Sequence, residues 1–451
     1  MTPRTRPRPI SPAPPLGPAA FAPRRKRLLD AIGEGVAVIP SATELHSSRD
    51  TEIPYRPSSD LYYLTGFVEP GAVAVLTPHD EAHRFTLFLR PRDTEREAWS
   101  GRRMGVEEAA ERVGADAAYP IAELAERLPA LLKPADRIHY PIGVSPELDR
   151  RILAILTASR RSRQRFGVGP IGTADLEAST GPLRMVKEKV EIERMRVAGR
   201  VAAAGHIAAM RAARPGVGEW EIQAALEANF RSLSGSPPSF PSIVATGNNA
   251  TVLHYVANQS RVGEDELVLI DAGAQWGMYC SDITRTFPAS GRFTRPQRDL
   301  YEVVLAAQEA AIAAAEKGAP NTALHDASLR VLVQGMLDLR ILPASDVDEI
   351  LESGSHKPFT IHQASHWLGL DVHDVGLYGE KGAPVTLEPG MVLTVEPGIY
   401  IPASAEKVPR AFRGVGIRIE DDLLVTKTGS ELLTRDVPVA IAEIESLLAG
   451  E

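Results

Sequence analysis

The sequence predicts a protein of mixed α+β and α/β class with two structured domains, and three observations support this. At 451 residues the chain is too long for one ordinary hydrophobic core. Strand-like and helical runs alternate over residues 24–172, as in a small α/β domain. Beyond residue 183 the order is helix, helix, hairpin, and this order recurs once as a weak internal repeat. We therefore expect an arm at 1–23 and domains at 24–175 and 180–451.

The composition excludes several classes of protein. Hydrophobic residues make up 44% of the chain and charged residues 24%, as in soluble globular proteins. The net charge of -8 gives no general attraction to nucleic acid or to acidic membranes. Cys280 is the single cysteine, so no intrachain disulfide forms, and no apolar run has transmembrane length. We expect a cytoplasmic protein that binds neither nucleic acid nor membrane.

The arm and the first domain are defined by local composition. The arm is rich in proline and arginine and has no acidic residue before Asp30, which predicts disorder. Prolines interrupt its apolar stretch, so it does not resemble a secretory signal. The first domain has predicted strands at 35–40, 71–77 and 85–90, and predicted helices at 106–113, 121–132 and 146–165.

The second domain opens with a long amphipathic helix, predicted at 185–213 and ended by Arg214-Pro-Gly. Its other predicted elements are helices at 219–233, 296–317 and 324–337, a strand and turn at 240–247, and a hairpin within 267–287. From His362 onward the sequence is mostly β, with frequent glycine and proline turns.

Two aspartates lie in the arms of the predicted hairpin. Apolar residues lead into Asp271, and the strand-like run 279–287 carries Asp282. With Trp276-Gly277 as the two-residue turn, the two aspartates face each other, with Cβ atoms roughly 4.5–5.5 Å apart. Carboxylates this close repel unless a cation lies between them. The alternative is one solvated aspartate and one aspartate at a turn.

Five acidic or imidazole side chains stand in apolar or strand-like settings, where an unpaired charge is costly. They are Asp271, Asp282, His366, Glu396 and Glu420. This oxygen-rich set favours Mn, Mg, Co or Fe over a thiolate-rich zinc site. Four carboxylates carry more charge than one divalent ion neutralises, which predicts two ions. The alternative for Arg418 and Glu420 is a charge pair on a solvated strand face.

Other catalytic motifs are absent from the sequence. There is no P-loop, nucleotide-binding glycine fingerprint or serine elbow. The segment His362-Gln-Ala-Ser-His366 has the spacing of a zinc protease motif but lacks the glutamate after the first histidine.

The second domain resembles the pita-bread metallopeptidases, which include methionine aminopeptidase, prolidase and aminopeptidase P. The resemblance rests on five segments in order: Ile270-Asp-Ala-Gly, Ser281-Asp-Ile-Thr-Arg-Thr-Phe, Ser365-His-Trp-Leu-Gly-Leu-Asp-Val-His-Asp, Val395-Glu-Pro-Gly and Ile419-Glu-Asp. The first domain resembles the partner domain of aminopeptidase P through Tyr55-Arg-Pro-Ser-Ser-Asp-Leu-Tyr-Tyr-Leu-Thr-Gly-Phe and Trp99-Ser-Gly-Arg-Arg-Met-Gly. The run His366-Trp-Leu-Gly-Leu-Asp-Val-His is more typical of aminopeptidase P than of methionine aminopeptidase.

The resemblance implies that Asp271, Asp282, His366, Glu396 and Glu420 hold two divalent ions, with Asp282 and Glu420 bridging them. Manganese is the expected metal, with cobalt, zinc and iron as alternatives. A metal-bridging hydroxide is expected to attack the scissile carbonyl, with Glu396 as the proton shuttle.

The resemblance also implies roles for four further residues of the second domain. His254, within Asn249-Ala-Thr-Val-Leu-His-Tyr, and His373 are expected to contact the substrate and the tetrahedral intermediate, and His362 to shape the pocket. Arg418 is expected to orient Glu420 and the bridging water. Each has a plain alternative, a structural histidine or, for Arg418, a surface ion pair.

Three expectations concern substrate binding and assembly. Asp60 is the candidate for holding the substrate's α-amino group. Trp99 either reaches a neighbouring subunit's pocket, as in related enzymes, or is a core residue. Lys381 occupies a loop where an arginine is expected in close relatives, which bears on substrate preference.

The expected function is release of the N-terminal residue from peptides with proline in second position, by a homo-oligomer that is a dimer or tetramer. One alternative is a prolidase, which cleaves Xaa-Pro dipeptides with the same metal apparatus. The other is a non-catalytic pita-bread protein that binds peptides or partners.

Overall fold

A computed structural model of the chain describes residues 9–450 and divides them into two compact units. One unit comprises residues 15–184, and the other comprises residues 185–450 together with residues 9–14. The prediction of a disordered arm is wrong for residues 18–23. These residues form the start of helix α1, which spans Pro18–Ile32. Pro18 fits the first turn of a helix, where its missing N–H has no partner to lose. Residues 1–8 of the expected arm lie outside the described residues.

The N-terminal unit is an α/β domain around one six-stranded sheet. After α1, its helices are α2 (Ser59–Thr65), α3 (Thr94–Ser100), α4 (Gly105–Val113), α5 (Leu124–Leu132), α6 (Pro146–Phe166) and α7 (Glu177–Met185). Its strands are β1 (Val36–Pro40), β2 (His46–Ser48), β3 (Thr51–Glu52), β4 (Val73–Leu76), β5 (Phe85–Leu89), β6 (Ala117–Pro120), β7 (Arg137–His139) and β8 (Gly172–Ala174). The sheet order is β6-β5-β4-β1-β7-β8, and β2 pairs separately with β3.

The predicted elements of this unit are present, with ends shifted by at most two residues. The predicted helix at 121–132 begins as a 3-10 turn, Ile121–Glu123, before α5. Strands β1, β4 and β5 are buried along their whole length, which explains their apolar runs. Strands β6, β7 and β8 were not predicted from the sequence; they are short and pair in parallel with distant segments.

The C-terminal unit pairs helices with small antiparallel sheets. Its helices are α8 (Lys189–Ala212), α9 (Glu219–Ser234), α10 (Arg295–Ala314), α11 (Ala323–Asp338), α12 (Val347–Ser353) and α13 (Ile441–Ala449). Its first strands are β9 (Ile243–Thr246), β10 (Leu267–Asp271), β11 (Gln275–Trp276), β12 (Tyr279–Cys280) and β13 (Thr284–Pro288). The remaining strands are β14 (Gly379–Glu380), β15 (Ala383–Pro384), β16 (Val392–Val395), β17 (Gly398–Ile401), β18 (Val415–Arg418), β19 (Asp421–Val425) and β20 (Ser430–Leu432).

The first long helix of this unit begins later than the sequence predicts. Residues 186–188 are not helical, because Val186 forms an isolated bridge with Met391 and Lys187 N–H donates to Gly390 O at 2.8 Å. A capping box between Glu188 and Glu191 then starts α8. None of the helices in residues 9–450 combines the length and the apolar character that a bilayer-spanning helix requires.

The two halves of this unit have the same order of elements, as the weak repeat indicates. Helices α8 and α9 precede the sheet β13-β10-β9, and helices α10 and α11 precede the sheet β16-β19-β20. An isolated bridge between Thr284 and Glu420 joins the two halves, with Glu420 N–H donating to Thr284 O at 3.0 Å. The ends of strands from both halves therefore meet at one place.

The hairpin register predicted from the sequence is wrong by two residues. Asp271 pairs with Thr284 rather than with Asp282, and the turn residues are Gly277 and Met278. Both have positive φ, 58° and 76°, which a type I′ turn requires at its two central positions. Gly277 is therefore the first of the two central turn residues, whereas the sequence predicts it as the second.

Candidate metal centre

The five side chains predicted as metal ligands stand at the ends of strands or beside them. Asp271 is the last residue of β10, and Asp282 lies between β12 and β13. Glu396 directly follows β16, and Glu420 lies between β18 and β19. His366 lies next to β16, to which its backbone is hydrogen-bonded. The joining of the two sheets therefore brings together residues that are up to 149 positions apart, from 271 to 420.

Three of these side chains present ligand atoms to a common point. A carboxylate oxygen of Asp282, one of Glu420 and a ring nitrogen of His366 lie within 4.8 Å of one another. The Oδ1 atoms of Asp271 and Asp282 are buried and accept no hydrogen bond from any residue in 9–450. Buried carboxylate oxygens without partners are costly, and a divalent cation would supply the missing interaction. The donor set therefore fits a divalent metal.

The electrostatics of the carboxylates support the same conclusion. Burial raises the pKa of Asp282 well above its ordinary value, and the neighbouring Glu420 and Asp271 raise it further. Burial likewise raises the pKa of Glu420, with Glu396 and Asp271 adding to the effect. Burial raises the pKa of Glu396 to about 8, although Arg418 opposes this shift. Carboxylates crowded in this way favour a cation among them.

His366 has the ring state that a metal ligand needs. Its Nδ1 lies 3.0 Å from the Trp367 carbonyl oxygen, to which it donates, so Nε2 keeps a free electron pair. That Nε2 lies 3.6 Å from Asp282 Oδ2 and 3.5 Å from Glu396 Oε1. Burial lowers the pKa of His366 to about 4, so these are contacts of a neutral imidazole rather than ion pairs. Its backbone N–H donates to Thr394 Oγ1 at 3.1 Å.

Arg418 connects three polar groups of the site. It donates to Asp271 Oδ2 at 2.6 Å, to Tyr400 Oη at 2.9 Å and to Thr284 Oγ1 at 3.0 Å. Thr284 Oγ1 in turn donates to Glu420 Oε2 at 2.6 Å. The alternative of a solvated charge pair is wrong, because Arg418 and Glu420 are only 3% and 2% exposed. Arg418 thus acts on Asp271 directly and on Glu420 through a hydroxyl group.

Tyr400 extends this network to His362. His362 Nδ1 donates to the Gln363 carbonyl oxygen at 2.8 Å, so Nε2 accepts from Tyr400 Oη at 2.7 Å. Tyr400 and Thr284 also belong to the site, although the sequence did not predict them. A tyrosine inside a buried apolar strand needs a partner for its hydroxyl group, and this was the available signal for Tyr400.

A cavity of about 540 Å³ opens on the metal centre. Its apolar wall includes Phe240, Ile243 and Leu253, and its polar wall includes His254 and His373. The ring of His373 meets the ring of His366 edge-on, with centroids 4.4 Å apart. All nine residues predicted for the site line this one cavity; they are His254, Asp271, Asp282, His362, His366, His373, Glu396, Arg418 and Glu420.

Three other predicted residues have different surroundings. Asp60 accepts a hydrogen bond from Arg184 Nη1 at 2.9 Å, within the N-terminal unit. Trp99 is 93% exposed, so its interpretation as a core tryptophan is wrong. Lys381 lies at the tip of the β14–β15 hairpin with φ of 51°, and its Nζ is 3.8 Å from Glu380 Oε1.

Comparison with known proteins gives matches to both units. The sequence pattern of metallopeptidase family M24 matches residues 193–427, and that of the aminopeptidase P N-terminal domain matches residues 21–139. An Xaa-Pro aminopeptidase from Escherichia coli is 40% identical over 432 residues, which cover 95% of this chain and 97% of that protein. A human Xaa-Pro aminopeptidase 3 is 32% identical over 456 residues, which cover 98% of this chain and 88% of that protein.

Solved structures agree with these matches. A Pseudomonas aeruginosa aminopeptidase superposes with a TM-score of 0.92 and 43% identity, covering 96% of this chain and 98% of its own. A zinc-substituted Escherichia coli aminopeptidase P in complex with product superposes with a TM-score of 0.91 and 39% sequence identity. The match covers 97% of this chain and 99% of that chain. These findings confirm the predicted fold class and family resemblance. The chain belongs to metallopeptidase family M24 and carries the N-terminal domain of aminopeptidase P.

Proposed function

We propose that the chain is an Xaa-Pro aminopeptidase, which releases the N-terminal residue from peptides with proline in second position. The observation that carries this proposal is the convergence of four carboxylates and one neutral imidazole on one cavity, in a chain similar to named Xaa-Pro aminopeptidases over nearly its whole length. The crowded carboxylates and the unpartnered Oδ1 atoms of Asp271 and Asp282 support a metal-dependent hydrolase rather than a peptide-binding protein.

The proposed metal ligands are Asp271, Asp282, His366, Glu396 and Glu420. We propose two divalent ions, preferably Mn²⁺, because hard oxygen donors predominate in this set. When bound, such ions would lower the pKa of water to give a nucleophile and would polarise the scissile carbonyl.

The side chains of the site have distinct proposed tasks during hydrolysis. Glu396 accepts the proton that the attacking water loses and delivers it to the prolyl nitrogen, which must be protonated to leave. His254 and His373, on the polar wall of the cavity, contact the substrate carbonyl and the oxyanion that develops from it. Tyr400 holds His362 in place by donating to its Nε2, and Arg418 orients Asp271 by donating to its Oδ2.

Selectivity for proline follows from the chemistry of its nitrogen. A prolyl nitrogen in a peptide bond has no N–H, so proteases that bind this group discriminate against it. The cavity offers histidine rings and apolar side chains such as Phe240 and Leu253, which accommodate a pyrrolidine ring without requiring that donor.

The test compares an Arg-Pro-Pro tripeptide with an Ala-Pro dipeptide, using enzyme stripped with chelator and refilled with Mn²⁺. We expect cleavage after the first residue of the tripeptide and little cleavage of the dipeptide. Glu396→Gln, which keeps the shape of the side chain but cannot accept the proton, is the matched inactive control. Preference for the dipeptide would indicate a prolidase. Metal binding without turnover of either peptide would indicate a binding protein.

We propose a cytoplasmic homo-oligomer in which the exposed Trp99 reaches the pocket of a neighbouring subunit. The exposure of Trp99, 93%, supports this role, because an indole left in water at that level gains by burial against a partner. Sedimentation of the wild type and of Trp99→Ala, together with their KM values, tests it. A monomeric wild type, or an unchanged KM in the variant, would contradict it.

A further inference from the structure

A second cavity, of about 460 Å³, lies beside the metal centre. It shares Gln363, Ser365, His366 and His373 with the first cavity. Among its other lining residues is His325, a side chain of helix α11 to which the proposed function gives no role. His325 contacts the backbone of the segment that carries His366, one of the proposed metal ligands.

His325 holds the segment 362–366 at its middle residue. Its Nδ1 accepts the backbone N–H of Ala364 at 3.3 Å, and the carbonyl oxygen of Ala364 accepts the backbone N–H of Glu396 at 2.9 Å. Ala364 itself is only 3% exposed, so water does not readily replace these partners. The N–H of Ala364 is thus bonded to helix α11, and its carbonyl oxygen is bonded to the residue that follows strand β16.

This segment depends on such contacts because it belongs to no helix or strand. It nevertheless carries His362 at one end and His366 at the other. The His366 end is bonded to Thr394, through the His366 N–H to Thr394 Oγ1 at 3.1 Å and the Thr394 N–H to the His366 carbonyl at 2.9 Å. Two residues before it, the hydrogen bond from the Ala364 N–H to His325 Nδ1 connects the segment to helix α11.

The same contact fixes the tautomer of His325. Because Nδ1 accepts a hydrogen bond, its electron pair must be free and the neutral ring carries its proton on Nε2. Burial lowers the pKa of His325, which keeps the ring neutral near pH 7. The two ring nitrogens therefore have different roles: Nδ1 accepts the backbone N–H of Ala364, and Nε2 carries the proton of the neutral ring.

We propose that His325 is a positioning residue of the metal centre, which sets the places of His362 and His366 by accepting the Ala364 N–H at Nδ1. This inference rests on the proposed function for its catalytic readout. It does not make His325 a metal ligand or a substrate contact. Loss of the acceptor lets the segment shift, and the two histidines lose their alignment with Glu396 and Tyr400.

The test uses three substitutions of one residue. His325→Asn places an acceptor oxygen close to the position of Nδ1, and His325→Gln places a polar group close to the position of Nε2 instead. His325→Leu removes both. The measurements are kcat and KM for the tripeptide, the Kd for Mn²⁺ by titration of the stripped protein, and the thermal midpoint of the metal-free protein.

We expect His325→Gln and His325→Leu to lower kcat and weaken Mn²⁺ binding by roughly 10-fold to 100-fold, with KM little changed. We expect His325→Asn to retain most of both. Activity retained by the Gln variant and lost by the Asn variant would overturn the proposal, as would wild-type values in all three. A raised KM with kcat unchanged would also overturn it, because that result indicates a substrate contact.

Failure of this inference is distinguishable from failure of the proposed function. If the wild type cleaves neither peptide, the Xaa-Pro aminopeptidase proposal fails, but the Mn²⁺ affinities of the Asn and Gln variants still test the positioning role. If the Leu variant does not fold, the comparison of Asn with Gln remains, since each keeps one polar group of the original ring.

Discussion

At the scale of single residues, the site is defined as much by the partners of its side chains as by the ligands. Each of the three guanidinium nitrogens of Arg418 donates to an acceptor on a different strand: Asp271, Tyr400 or Thr284. Asp271 consequently offers one oxygen to Arg418 and keeps Oδ1 unpartnered among the described residues. The planar guanidinium fixes these directions, whereas a lysine ammonium would supply charge without this geometry.

The first prediction concerns this geometry. Arg418→Lys keeps the charge but loses the fork that binds Asp271, Tyr400 and Thr284 at once, so we expect kcat to fall at least about 10-fold. Steady-state kinetics on the tripeptide measure it. Arg261→Lys, at an arginine whose side chain is 63% exposed, is the matched control and should keep wild-type activity. Full activity in Arg418→Lys would show that charge alone suffices.

The second prediction concerns stability in acid. His206 is fully buried, donates from Nε2 to the Ala272 carbonyl at 2.9 Å, and has its pKa lowered by burial to about 4. The unfolded chain binds this proton near pH 6.5 while the folded protein does not. Stability from this residue is therefore present above pH 6.5 and is lost as pH falls toward 4.

His206→Gln, which keeps the donor and cannot titrate, should reduce this loss by about 1–3 kcal/mol. Urea unfolding at pH 7.5, 6 and 5 for both proteins gives the comparison. Parallel pH dependences for wild type and variant would contradict the assignment.

At the scale of elements, the β10–β13 hairpin places Asp271 and Asp282 by a close approach of its two arms. Between the aspartates, the Gly273 backbone approaches Ser281 so closely that an added Cβ would lie 1.6 Å from its carbonyl oxygen. The Ala272 N–H bonds to Ile283 O at 3.0 Å on one side of this contact. Only glycine fits here, and the arms would separate with any other residue.

The third prediction follows from this contact. Gly273→Ala should destabilise the protein by at least about 3 kcal/mol or prevent folding, because the backbone carbonyl cannot move away without breaking the hairpin. Gly172→Ala, where a Cβ would meet nothing within 4 Å, is the control. Urea unfolding of the soluble variants compares them. Similar stability for the two variants would mean that the arms separate at little cost.

At the scale of the whole C-terminal unit, the metal centre lies where its two sheets join. Thr284 is paired with Asp271 in one sheet and bridged to Glu420 beside the other. The carboxylates of both sheets repel one another across this joint, and one guanidinium, that of Arg418, compensates Asp271 directly. A bound cation would therefore stabilise the joint as well as supply chemistry.

The fourth prediction tests this coupling. Removal of metal by chelator should lower the thermal midpoint, and Mn²⁺ should restore it in a concentration-dependent way. The free energy of unfolding should rise by about 2.7 kcal/mol when Mn²⁺ is at about 100 times its Kd. Asp282→Asn should change the stability of the metal-free protein and that of the Mn²⁺-bound protein in opposite directions. It should be more stable than the wild type without metal, because one repelling charge is gone, and less stabilised by Mn²⁺. A midpoint insensitive to chelator would contradict the prediction.

The sequence by itself determined the fold class and the family of the protein, whereas the roles of its site residues remain predictions. The strands leading to Asp271 and Glu396 are apolar and bounded by turn residues, so they were predicted, and all nine predicted site residues line one cavity. Local patterns suffice for these strands because strand and turn propensities depend on neighbours in the chain, whereas the roles of the nine residues rest on the family resemblance.

Only the tertiary structure decided the hairpin register, the hydrogen-bond network and the role of His325. Register depends on which two residues adopt positive φ, and Met278 gives no local sign that it does. Thr284, Tyr400 and His325 are ordinary residues in an ordinary strand or helix, and they belong to the site because distant segments pack against them. Contacts between segments that are tens to more than a hundred residues apart leave no periodic pattern in the sequence, so packing alone reveals them.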